Sequence, residues 1–298
     1  MTRSSSIGGR IACLGVVLAL LAILTTPAVA INWGEPDGDE HPNVGAMVAY
    51  DSTTDQWYQI CSGTLIAPYV FLTAGHCTVL QDMFPVETMR VNFAEDALDF
   101  ESDPSSWCEV EAAITHPGFN FPEHANPYDA GVLILKENME TLDRVPAELP
   151  PLGLLDDLKK NKQLRQGSEE EDFVVVGYGS TLDWPPPSRT SYNQRRYAYS
   201  EYQALLPAWL RLSQNQATGD GGTGYGDSGG PTFWIDPETD EEFLVATTSW
   251  GDAPTVSTGF NYRTDIPETQ LFLGLVRGLV DDWLNDEDGE FSWEVDWE

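Results

Sequence analysis

Gly224-Tyr225-Gly226-Asp227-Ser228-Gly229-Gly230-Pro231 is the stretch whose reading decides the fold. A serine set among glycines, with an aspartate directly before it, needs a reason, because glycines loosen a chain that folding must then order. Catalysis supplies one. Small neighbours let the backbone turn sharply, leave the Ser228 hydroxyl uncovered, and aim the N–H groups of Gly226 and Ser228 at one point where a carbonyl oxygen becomes negative. The stretch reads as a nucleophile beside an oxyanion hole.

A hydroxyl is a poor nucleophile at neutral pH, so this reading requires a base and a group that orients the base. Upstream, Thr73-Ala74-Gly75-His76-Cys77 offers the base, and Tyr128-Asp129-Ala130-Gly131, opening the apolar run Val132 to Leu135, offers the carboxylate. At these residues, in the order His, Asp, Ser, the sequence resembles the chymotrypsin-like (trypsin-fold, S1-type) serine peptidases of the secreted bacterial kind. The motifs around Ser228 and His76 are specific; an aspartate before an apolar run is weak alone and gains force only from the other two. The resemblance covers most of residues 31–285.

It implies an all-β fold of two six-stranded Greek-key β-barrels packed together, with a C-terminal α-helix. It also implies catalytic roles for His76, Asp129 and Ser228, with protein or peptide substrates and neither cofactor nor metal. Gly222 would stand at the base of the substrate pocket. Ser249, Trp250 and Gly251 would pair with substrate backbone as an added strand, and Gly259 would close the pocket wall. A Cys61–Cys77 disulfide is implied as well, stabilising by on the order of 3 kcal/mol. In this family a freed N-terminal residue inserts its ammonium beside the aspartate preceding the nucleophile. Here that pair would be Ile31 and Asp227, since a buried charge must be paired to be tolerated.

Residues 1–30 read as a signal peptide. Arg3 and Arg10 precede an apolar run from Ile11 to Leu24, which is short for a membrane span, and Ala28-Val29-Ala30 presents the small residues of a cleavage site. Cutting there makes Ile31 the new N-terminus, so signal removal itself would activate the enzyme. A secreted (extracellular or cell-envelope) monomer without stable membrane association follows. The whole chain has 15 Lys and Arg against 48 Asp and Glu, a net charge of −33. Such a coat repels nucleic acid and anionic membranes and favours solubility. Cys108 is left over as a buried free thiol.

Residues 31–298 form the peptidase domain, with a first barrel over 31–145, a crossover over 146–172, a second barrel over 173–265, a helix over 266–285 and an acidic tail over 286–298. Short runs rich in β-branched and aromatic residues predict six strands before Lys136: Val44–Tyr50, Cys61–Ile66, Tyr69–Ala74, Met89–Phe93, Val110–Thr115 and Gly131–Leu135. Phe173–Gly179, Trp209–Asn215, Phe243–Ser249 and Gly259–Arg263 continue the pattern. From Pro267 to Leu284, apolar residues at helical spacing, from Leu271 and Phe272 to Val280 and Trp283, predict a helix covering one barrel. His41, His116 and His124 lack the setting of His76 and read as structural or solvated. Arg195 and Arg196 read as strand residues.

Gly222 where a carboxylate would hold Lys or Arg, and Gly251 and Gly259 on the walls, predict an open pocket for a large apolar or aromatic side chain. Asp220 or Asp252 would reverse this by reaching inward. Two other classes stay open: a non-catalytic binding relative of the fold, and an esterase on the same scaffold.

Overall fold

A one-residue slip along a strand exchanges its two faces, and this chain uses both faces of its strands. In Gly131–Leu135 (β7), Leu133 and Leu135 turn into one apolar cluster with Met47, Phe71 and Val91, while Val132 and Ile134 enter a second with Val44, Val70 and Leu72. That second cluster also contains Val174, Val176, Phe233, Tyr262 and Phe272, so it is the seam between the two halves of the molecule. The computed structural model describes residues 31–101, 104–121, 123–167, 173–183, 188–191, 193–252, 255–285 and 291. The signal peptide, the Glu169–Asp172 acidic run, Pro185–Pro187 and nearly all of the tail lie outside the described residues.

The first six-stranded unit is a closed barrel of Val44–Asp51 (β2), Gln56–Ala67 (β3), Val70–Thr73 (β4), Met89–Asn92 (β5), Trp107–Thr115 (β6) and β7, in the order β2-β3-β4-β7-β6-β5. All six strands match the expected positions. β3 runs longer than expected because it pairs along the whole of β2.

The second unit departs from a closed six-stranded barrel. It is an eight-stranded curled sheet in the order β1-β11-β8-β14-β15-β16-β13-β12. Its members are Glu35–Pro36 (β1), Phe173–Gly177 (β8), Arg196–Ser200 (β11), Tyr202–Leu205 (β12), Trp209–Ser213 (β13), Pro231–Ile235 (β14), Glu242–Gly251 (β15) and Thr258–Arg263 (β16). β11 and β12 are successive in the chain yet lie toward opposite ends of the sheet, so the curl is joined there by the chain at Glu201 and not by a ladder. Ser180–Asp183 (β9) and Ser188–Ser191 (β10) form a separate hairpin.

The helices are Gly75–Thr78 (α1), Leu154–Lys160 (α2) in the crossover, and Pro267–Asn285 (α3). On α3 the buried stripe is Thr269, Phe272, Leu273, Val276 and Val280, whereas Leu271 and Leu275 are exposed. The expected stripe was too wide, because only a band of about 100° on a helix can face a core. Nor does α3 cover one half alone. Phe272 and Val276 join the seam, Arg277 donates to the Ile66 carbonyl (2.8 Å), and Trp283 meets Tyr69 edge-on.

Candidate active site

β4 pairs antiparallel with β7 so that Thr73 stands opposite Gly131. The chain leaving β4 turns into α1 with His76 on its first turn, and the chain entering β7 arrives with Asp129. The register thus brings together two residues far apart in sequence. His76 Nδ1 lies 3.0 Å from Asp129 Oδ2, and the His76 backbone N–H donates to Asp129 Oδ1 at 2.9 Å. Asp129 is presented by a tight turn: Tyr128 has φ +53°, a conformation costly for a non-glycine residue, and its ring stacks on His116 at 4.9 Å.

Asp129 is fully buried. Burial opposes its ionisation, but the adjoining His76, with hydrogen bonds from His76 and Ser249, outweighs this and holds the carboxyl below its ordinary value. The Ser249 hydroxyl, from β15 of the second unit, donates to Asp129 Oδ2. The Ser249 contact therefore ties the histidine–carboxylate pair of the first barrel to the second unit across the seam.

Ser228 lies on the loop between Gly222 and β14. Its carbonyl accepts from Ser62 N–H of the first barrel (2.8 Å), and the next N–H, of Gly229, donates to Thr248 of the second unit (2.8 Å). Gly229 has φ +80°, and a methyl there would overlap Thr73 Oγ1 and sit 2.5 Å from the Ser62 carbonyl oxygen. Only glycine fits this crossing of the two halves.

In a trans peptide the N–H and C=O point in opposite directions. The Tyr225 carbonyl is held by Ser180 N–H (2.6 Å) and the Asp227 carbonyl by Gly230 N–H (2.8 Å), which turns the N–H groups of Gly226 and Ser228 the other way. Among the described residues neither of these N–H groups donates to an acceptor. Gly226 has φ +98°, and its carbonyl is held by Gln59 and Ser62 (2.8 and 3.0 Å). Gln59 and Ser62 support the loop without any sequence signal that marks them.

His76, Ser228, Ser249, Trp250 and Gly251 line one cleft of about 380 Å³, with Phe121, Tyr225 and Asp252 on its walls. Ser228 is partly exposed there. No hydrogen bond joins the His76 ring to Ser228 among the described residues; bonds of this kind commonly tighten only when substrate is bound.

Two expected pocket residues, Gly222 and Gly259, do not line the cleft. They enclose the side chain of Gln214. Gln214, at the end of a strand, carried no sequence signal. Asp252 caps a turn, accepting from Val256, Ser257 and Thr258 N–H, and Asp220 accepts from Glu201 N–H and the Thr218 hydroxyl.

Ile31 is fully buried among Phe173, Val175 and Ala198, and Asn32 makes a two-bond bridge with Gly222 (2.7 and 2.9 Å). Among the described residues no ion pair links Ile31 to Asp227. The fully buried Asp227 carboxylate accepts instead from Gly179 and Gly224 N–H, both at 2.7 Å. Burial pushes this carboxyl up to about 7. Cys61 and Cys77 are disulfide-bonded, which ties α1 to β3. Cys108 is a buried free thiol that donates to Glu137 Oε2 at 2.6 Å.

Comparison with known proteins agrees with this geometry. CLIP domain-containing serine protease HP8 of Bombyx mori is 26% identical over 242 residues, 74% of this chain and 62% of that protein. Serine protease 28 of Mus musculus is 24% identical, over 72% of this chain and 78% of that protein. Chymotrypsin-like elastase family member 3A of Homo sapiens is 29% identical over 49% of this chain and 57% of that protein. The chain thus spans less than two thirds of the silkworm relative's length, and these relatives are animal proteins, which lend the bacterial kind of the resemblance no support. Residues 34–268 match the sequence pattern of the family described as Trypsin. With a closed barrel, a curled partner sheet and a C-terminal helix around this cleft, the chain belongs to the trypsin family of serine proteases.

Proposed function

We propose that the chain is a secreted serine endopeptidase acting through an acyl-enzyme. The observation that carries this reading is the chain of contacts Ser249–Asp129–His76, assembled across the seam and opening on the cleft that holds Ser228. Asp129 holds the imidazole with Nδ1 protonated, which leaves Nε2 as the base. His76 takes the Ser228 proton as the hydroxyl oxygen attacks a peptide carbonyl, and the N–H groups of Gly226 and Ser228 receive the oxyanion. The imidazolium, stabilised by ionised Asp129, then gives its proton to the leaving amine. Water enters, His76 takes its proton as the water oxygen attacks the acyl carbon, and that proton passes to Ser228 Oγ as the ester bond breaks and the acid leaves.

Cleavage after residue 30 would free an ammonium at Ile31. The Asn32–Gly222 bridge already anchors that segment beside the nucleophile loop, which supports pairing of the new terminus with Asp227. The commitment of Asp220 and Asp252 to other partners argues against Lys or Arg as the preferred side chain.

A fluorophosphonate probe is the direct test. It is expected to label the mature chain at Ser228, and Ser228→Ala is expected to abolish both labelling and casein digestion, lowering turnover by about four orders of magnitude or more with an unchanged fold. Labelling without casein digestion would mark an esterase, and no labelling a binding relative.

A further inference from the structure

We propose that Gln214 is a specificity-determining residue whose side chain forms the floor of the primary pocket and restricts it to short, uncharged substrate side chains. The inference rests on the peptidase reading above and adds the residue that sets pocket depth. A methyl on Gly222 would overlap Gln214 Cγ and lie 2.7 Å from Cδ; one on Gly259 would lie 2.9 Å from Nε2; one on Gly251 would lie 3.6 Å from Oε1. Three glycines thus surround a single side chain. The space they release is occupied by Gln214, and the cleft stops at Thr223, Gly251 and Thr255 without reaching Gly222 or Gly259.

Gln214 is held in place, being 2% exposed. Its Nε2 donates to both the carbonyl and the hydroxyl of Thr223, each at 3.0 Å. Since a carbonyl only accepts, this pair sets which end of the amide is nitrogen. Oε1 is therefore the end beside cleft-lining Gly251, and it has no hydrogen-bond partner among the described residues. The buried Oε1 lacks a partner while Nε2 satisfies the Thr223 carbonyl and hydroxyl, so the amide is held in one orientation with its free acceptor toward the cleft wall. A neutral amide gives a Lys or Arg no counter-charge, and its oxygen repels a carboxylate.

The test uses acyl-tripeptide coumarin substrates that differ only in the residue before the cleaved bond, assayed on the mature protein and on Gln214→Ala. The wild-type chain is expected to process Ala, Val and Thr at least about tenfold faster, in kcat/KM, than Met, Phe and Lys. Gln214→Ala is expected to raise kcat/KM for Met and Phe about tenfold or more while changing Ala less than threefold. A wild-type chain that cleaves Phe or Lys as well as Ala or Val overturns the proposal, as does a folded Gln214→Ala whose ranking is unmoved. If that variant does not fold, the wild-type ranking decides by itself. Fluorophosphonate labelling separates the two readings: a labelled enzyme with the wrong ranking defeats only the role of Gln214, and an unlabelled chain defeats the peptidase reading and this one with it.

Discussion

Asp227 is a carboxyl removed from water and held by two backbone N–H groups, and burial lifts it from an ordinary value of 3.8 to about 7. A carboxyl raised in this way contributes fully below its unfolded value, where both states hold the proton. That contribution is lost as pH climbs from about 4 through about 7, because the unfolded chain releases its proton first. For a Ser228→Ala chain still extended ahead of Ile31, urea unfolding at pH 5 and pH 8 is expected to show a loss on the order of a few kcal/mol that Asp227→Asn lacks. With a free ammonium at Ile31 the carboxyl would fall below its ordinary value of 3.8, its contribution would be lost only as pH drops below about 4, and the dependence between pH 5 and 8 would vanish. Equal pH dependence in the extended chains with and without Asp227→Asn would contradict this account. At this scale the sequence is informative wherever a residue type is itself the requirement: Gly229 as the residue without a Cβ, and, in the proposed mechanism, Ser228 as a hydroxyl and His76 as a base.

Among the elements, α3 separates pattern from packing. Phe272 is 1% exposed and Leu271 65%, although both belong to one apolar run. Phe272→Ala is expected to destabilise by about 3–5 kcal/mol and Leu271→Ala by less than about 0.5 kcal/mol, read as shifts in the urea midpoint. Comparable losses would mean that the helix docks on a different face. The first barrel was legible because its strands are long, β-branched and separated by turn residues. β14 carries no strand signal because Pro231-Thr-Phe-Trp-Ile follows directly on a glycine run; of β11 only Arg196 reads as strand, and β12 does not, because the two meet at Glu201 with no turn signal between them. Their pairing is decided by partners distant in sequence, such as Val174 opposite both Tyr199 and Phe233.

At the scale of the molecule, the two halves and the N-terminal segment are fastened by a buried polar cluster. Arg195 Nε donates to Asp37 Oδ2 (2.7 Å), and its Nη1 reaches the Phe93 carbonyl of the first barrel (2.9 Å) and the Tyr178 hydroxyl (3.2 Å). His41 bonds to Asp37 and stacks on Phe233. Burial works against a charged His41, but Asp37 and Glu242 prevail and raise it to about 9. Arg195→Met leaves Asp37 buried without its guanidinium and is expected to cost about 3–5 kcal/mol in urea unfolding. Adding Asp37→Leu is not expected to restore that loss, since it also takes from the buried His41 the carboxylate that keeps it charged. A single substitution without effect would show that the pair does not fasten the molecule.

Sequence alone determined the family resemblance and the six strands of the first barrel, since these depend on residue type and on patterns a few residues long. The meeting of His76 and Asp129 followed from the β4–β7 register, and the planes of the Tyr225–Gly226 and Asp227–Ser228 peptides from carbonyls held by Ser180 and Gly230. What fills the space beside three of the glycines was decided only in three dimensions. Gly222, Gly251 and Gly259 leave space open to any neighbour, and whether substrate or Gln214 occupies it depends on how β13 and β16 pair, which no local pattern records.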